Sequence, residues 1–145
     1  MNNAAKRAKK TYEEVNRRLR ALGLAFFLNG WEEESMPPAA KPYRNGQLVE
    51  LSAMEYELRT GKKYMNSINT LYENRADLDP VLRHEIEGVK RDTDKLAKIP
   101  KEEYLAYQNV LLECYPVKFV EAKTSGSFAP VKPYLKSIIA YNKRY

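Results

Sequence analysis

Two imidazoles one helical turn apart can grip a metal ion, and His84-Glu85 opens that pattern. The fifth position of the string is Gly88, and the 145-residue chain holds no second histidine. His84 therefore reads as a structural or surface residue. Cys114 sits in an apolar helical stretch with no histidine to activate its thiol, which makes it core. Glu32, Glu33 and Glu34 supply three carboxylates, but consecutive side chains diverge on any backbone, so the triplet reads as a solvated acidic turn. Asp77, Asp79, Asp92 and Asp94 lack the calcium-loop spacing with its central glycine. Ser125-Gly126-Ser127 could begin a phosphate cradle, yet no Lys-Ser/Thr helix start follows it. No catalytic or metal-ligating set assembles from residue types alone.

One group keeps a chemical reading. Trp31, Met36, Pro37, Tyr43 and Arg44 make an aromatic, proline-stiffened corner carrying a single cation. A guanidinium there can take a carboxylate through two parallel hydrogen bonds. The competing reading is a structural tie between helix and loop.

Composition bounds what these residues can belong to. At 145 residues, with 43% hydrophobic and 11% aromatic content, one domain with its own core is expected. The longest apolar run, Ala21 to Leu28, is far short of the roughly 20 residues of a membrane-spanning helix. No apolar stretch follows the basic start MNNAAKRAKK as a secretory signal would require. A single cysteine rules out an internal disulfide and fits a reducing compartment, so a cytoplasmic protein with no membrane partner is expected. Most of the net charge of +6 lies in residues 1–20, where seven Lys/Arg face only Glu13 and Glu14. Such an arm could bind polyanions by counterion release. No aromatic is interleaved with it to stack on bases, so nucleic acid is not the expected partner.

The periodicity that must position these groups is helical nearly throughout. Residues 1–10 read as a basic flexible arm, and Thr11 with Glu14 reads as a capping box opening a first helix. Val15, Leu19, Leu22 and Phe26 line one face of it. The apolar face widens over Ala25 to Leu28, which predicts burial on most sides, and Asn29-Gly30 predicts an end near Trp31. Pro37, Pro38 and Pro42 stop helix between Glu34 and Lys41. A second helix runs from about Tyr43 to Thr60, with Gly61 as a left-handed cap. Tyr64, Ile68, Leu71 and Tyr72 give a short third helix. Asp79-Pro80 caps a fourth, whose strict stripe of Leu82, Ile86, Val89, Thr93 and Leu96 suits an antiparallel neighbour. A fifth helix runs from Pro100 to about Lys123, kinked or broken at Pro116, and Pro133 opens the last. Val131, Tyr134, Leu135, Ile138, Ile139 and Tyr141 leave apolar surface near the final residue, which reads as docking surface for further protein. The expected fold class is all-α: an antiparallel bundle of about five to six helices, with one domain expected over 11–145 and expected to be truncated at its C-terminus.

The string WEEESMPPAAKPYRNGQLVELS resembles the N-terminal block of the carboxypeptidase Taq family of metallocarboxypeptidases, with Pro37, Arg44 and Leu51-Ser52 in register. A second block is similar to the same family at Lys98-Ile99-Pro100, Glu121-Ala122, Phe128, Pro133-Tyr134-Leu135 and Asn142-Lys143-Arg144. Phe119 stands where the family usually has Trp, Tyr56 where His is frequent, and Ser127 where Asp precedes the Phe. These swaps keep size or polarity. The resemblance implies the N-terminal part of a larger, mostly helical enzyme that removes C-terminal amino acids with a divalent metal, zinc or cobalt, held by an HExxH helix elsewhere in the chain. It implies that this segment is a helical lid bordering the substrate groove, carries no catalytic motif and binds no metal itself. Trp31, Met36, Tyr43 and Arg44 would then line or lock the groove. Tyr134, Leu135, Ile138 and Ile139 would dock on the remainder of the same polypeptide. Peptide substrate and a homodimer are implied for the whole enzyme, and no activity for the segment alone. The alternative from another class is a stand-alone helical module whose basic arm binds an acidic partner or nucleic acid.

Overall fold

A computed structural model of the chain describes residues 2–32 and 35–145. Every regular element among them is helical, as the periodicity requires: α1 (Asn3–Glu32), α2 (Lys41–Thr60), α3 (Lys62–Glu73), α4 (Pro80–Leu96), α5 (Lys101–Glu113), α6 (Phe119–Ser125) and α7 (Lys132–Arg144). Single 3-10 turns at Pro38–Ala40 and Arg75–Asp77 lead into α2 and α4. α5 passes through a π-helical turn, Cys114–Lys118, into α6, so the seven segments among the described residues make six runs. No helix of the described residues is long and apolar enough to cross a membrane.

The chain divides into two compact units, and each is described by itself. The first holds the residues up to Ala25 together with Met54–Lys98. Its core is one cluster: Ala8, Tyr12 and Val15 from α1, Tyr64, Ile68 and Leu71 from α3, Leu78, and Ile86 from α4. Leu82 and Val89 of the fourth-helix stripe pack against it, and Thr93 is buried. Asp79 caps α4 as expected, its carboxylate accepting from Leu82 N at 3.0 Å with Pro80 in the first turn.

The first helix departs from expectation at its start. α1 begins at Asn3, so residues 3–10 are helix rather than a flexible arm, and the Thr11–Glu14 pair lies inside it. The cap is Asn2, whose Oδ1 accepts from Ala5 N at 2.8 Å. Ala5 is fully buried and Ala8 nearly so. Burial of this small-residue face selects helix over solvated coil for a segment whose charged residues point outward.

Paired tyrosines make the polar side of this core. The rings of Tyr12 and Tyr64 stack at 5.7 Å, Tyr12 donates to Glu85 Oε1 at 2.6 Å, and Tyr64 donates to Asn16 Oδ1 at 2.7 Å. Burial first, and for Tyr12 the bond to Glu85 second, push both phenols above their ordinary range. The unfolded chain releases these protons near pH 10 while the folded chain holds them. Their stabilisation is therefore complete below about pH 10 and is lost as pH rises beyond it. Thermal midpoints measured from pH 8 to pH 11 fall above about pH 10 in the parent, and Tyr12→Phe reduces that alkaline slope.

Gly61 also departs from expectation. Its φ of −62° and ψ of 135° make it the extended N-cap of α3, not a left-handed cap of α2. The left-handed glycine is Gly126, at φ 65° after α6. Gly61 is required by close approach: a Cβ there would lie 2.9 Å from the Glu57 carbonyl oxygen. Backbone cannot yield as a flexible side chain would. Gly61→Ala is accordingly expected to cost about 1–3 kcal/mol in chemical denaturation.

The second unit holds Phe26–Ala53 and Ile99–Tyr145. Leu48, Cys114, Pro116 and Val131 are buried in it, so Val131 is core of this chain rather than surface awaiting further protein. α7 lies along α5, where the rings of Tyr141 and Tyr107 stack at 3.8 Å and 3°. The end of α1 contradicts the expected burial on most sides. Leu24, Phe27, Leu28 and Trp31 are each more than half exposed, leaving only Ala25 and Phe26 partly covered. Amphipathic cover needs a neighbouring element, and the apolar side from Leu24 to Trp31 is wider than what this chain places against it.

Candidate functional site

The corner singled out in the sequence lies in the second unit, where α1 ends and α2 begins. Arg44 is its buried member, only 5% exposed. Its Nη2 and Nε donate to the Asn29 carbonyl oxygen at 2.8 and 3.2 Å. A single guanidinium thus places two N–H donors on one of the last carbonyls of α1. Arg44 joins the start of α2 to the end of α1. Trp31 is 77% exposed with its ring 6.3 Å from Phe27, and Tyr43 is 76% exposed. Met36 is half-buried. The fold thus presents two large aromatics to solvent beside one arginine already engaged. Of the acidic triplet, Glu33 and Glu34 lie outside the described residues.

The second expected group is less open than its sequence implied. Tyr134, Leu135 and Ile138 are half-buried, and only Ile139 is exposed, at 53%. Tyr134 donates to Glu113 Oε2 at 3.1 Å, which raises the phenol's pKa.

The π-helical turn between α5 and α6 holds two contacts that the sequence did not signal. Pro116 has no N–H to give the Leu112 carbonyl four residues back, and Phe119 N bonds instead to Cys114 O, five residues back. Asn45 Nδ2 supplies the missing donor, reaching Leu112 O at 3.1 Å. Lys41 Nζ reaches Pro116 O at 3.2 Å. Lys41 and Asn45 are four apart, so one face of α2 serves both carbonyls. The proline announced a kink; its partners could not be found without the fold. Asn45→Ala leaves Leu112 O unsatisfied and is expected to cost about 1–3 kcal/mol by urea denaturation.

Compared with known proteins, residues 11–145 match the family model of the carboxypeptidase Taq (M32) metallopeptidases. The chain belongs to this family. Carboxypeptidase 1 of Bacillus subtilis is 26% identical over 137 residues, which are 94% of this chain and 27% of that protein. A solved structure titled BsuCP Crystal Structure superposes with a TM-score of 0.78 at 24% identity, over 99% of this chain and 28% of that one. That likeness establishes the helical fold. The chain therefore spans little more than a quarter of the length of the relatives it matches.

Membership implies a metal for the whole enzyme, and the described residues of this chain do not assemble a site for one. An HExxH helix needs two histidines, while here the lone His84 is exposed on α4 with Gly88 four residues on. Among the described residues no three His, Cys, Asp or Glu side chains converge. Cys114 is buried as a free thiol, Asp79 serves as a helix cap, and Asp94 pairs with Lys90.

Proposed function

We propose that this chain forms the N-terminal helical region of a metal-dependent carboxypeptidase that removes C-terminal amino acids from peptides. In this reading it borders the substrate groove as a lid, while the remainder of the same polypeptide supplies the metal ligands and breaks the bond. The observation that carries it is a match along 94% of this chain that covers only 27% of the Bacillus enzyme. The histidine inventory supports the division of labour, because one His cannot build the metal helix. Trp31, Met36 and Tyr43 would face the groove, with Arg44 holding their two helices in register. Ile139, with the partly covered Tyr134, Leu135 and Ile138, would meet the rest of the enzyme, whose assembly would be a homodimer.

Zinc titration of the 145-residue chain by calorimetry tests the division directly. No stoichiometric zinc binding and no release of C-terminal residues from peptides are expected. A single tight metal site would overturn the reading. Immunodetection against this segment in its source cell should find a polypeptide several times heavier than 16.8 kDa, with an HExxH peptide in its digest. A native product of that small mass would overturn it equally.

A further inference from the structure

A second surface of the first unit carries chemistry that the carboxypeptidase reading does not use. α1 and α3 bound an open groove of about 350 Å³, lined among others by Arg7, Ala8, Thr11, Lys63, Asn66 and Thr70. Two cations face it and no carboxylate lines it. Outside the lining, Glu14 meets Lys63 at 3.5 Å with both side chains well exposed, a pair too loose to neutralise the site. Lys6 and Lys10, also exposed, flank Arg7 on the same helix.

The polar groups of the groove add partners for a peptide backbone to the two cations. Thr70 commits its hydroxyl proton to Asn66 O at 2.9 Å and Ser67 commits its own to Tyr64 O at 2.7 Å. Their oxygens are then left as acceptors, which suit the N–H donors of a peptide backbone. The Asn66 amide offers one donor edge and one acceptor edge, the complement of a peptide unit. No aromatic ring lines the groove to stack a base. From Ala4 to Thr11 the helix rises about 10 Å, the span of about three extended residues.

We propose that the groove between α1 and α3 binds an acidic peptide segment, with Arg7 and Lys63 taking its carboxylates and Asn66 pairing with its backbone. The cations set attraction and the amide sets the class of chain. The site is independent of the carboxypeptidase reading and stands or falls by itself.

Fluorescence anisotropy with labelled hexaglutamate, hexaglutamine and hexathymidylate on the whole 145-residue chain tests it. Hexaglutamate should bind saturably and more tightly than either of the others, with affinity falling as salt rises. Arg7→Glu and Lys63→Glu should each weaken it about tenfold or more, since each sets like charge against the ligand. Both side chains are exposed, so circular dichroism should show the fold kept. Lys132→Glu makes the same change in net charge in the second unit and should stay within about twofold. Asn66→Ala should weaken hexaglutamate without altering net charge. No saturable binding, an equal loss in Lys132→Glu, no loss in Asn66→Ala, or tighter binding of hexathymidylate would each overturn the proposal.

Discussion

Ile68→Ala lowers the unfolding free energy by about 2–5 kcal/mol. Ile68 is fully buried on α3 in the cluster that joins α1, α3 and α4. Alanine removes three carbons from a site whose neighbours Tyr12, Tyr64, Leu71 and Ile86 come from three helices. Those backbones cannot all close in, so a cavity term adds to the lost transfer energy. Ile68→Val deletes one methylene and should cost about 0.5–1.5 kcal/mol, which grades the effect by volume. Ile139→Ala, at a position 53% exposed, is the control and should stay within about 0.5 kcal/mol. Urea denaturation followed by circular dichroism reads all three. Equal losses at 68 and 139 would contradict the assignment of the core.

Arg44→Met should cost about 2–3 kcal/mol, because it takes a charged donor from a carbonyl and leaves that carbonyl with fewer partners. Methionine keeps most of the aliphatic bulk, so the loss reports the polar tie more than packing. Arg44→Lys should recover only part of it. An ammonium keeps the charge but cannot place two N–H groups on the Asn29 oxygen with the same geometry. If Arg44 were instead held ready for a ligand carboxylate, Arg44→Met would relieve a buried charge and raise stability. The sign of the change therefore separates the two roles in the isolated chain.

The helical reading followed from local rules, and where a rule had a single outcome it held. Asp79-Pro80 can cap and start a helix in only one way, and the stripe from Leu82 to Thr93 has one buried face. Gly61 and Thr11 misled for the same reason. A glycine after a helix and a Thr-x-x-Glu pair are permissive signals, and neighbours decide whether they are used. At Gly61 the decision was a carbonyl 2.9 Å from an absent Cβ; at Thr11 it was the burial of Ala5 and Ala8, six and three residues upstream of the apparent start.

Family membership was legible because the Trp31–Ser52 and Lys98–Arg144 strings fix residue types and their order in one dimension. So was the incompleteness of His84-Glu85 as an HExxH string, since the sequence given holds no second histidine. The engagement of Arg44 by Asn29, the service of Leu112 and Pro116 by Asn45 and Lys41, and the groove joining Arg7 to Asn66 needed the tertiary structure. Each pairs residues far apart in sequence through side-chain reach. Only packing determines which hydrogen-bonding groups are left to meet.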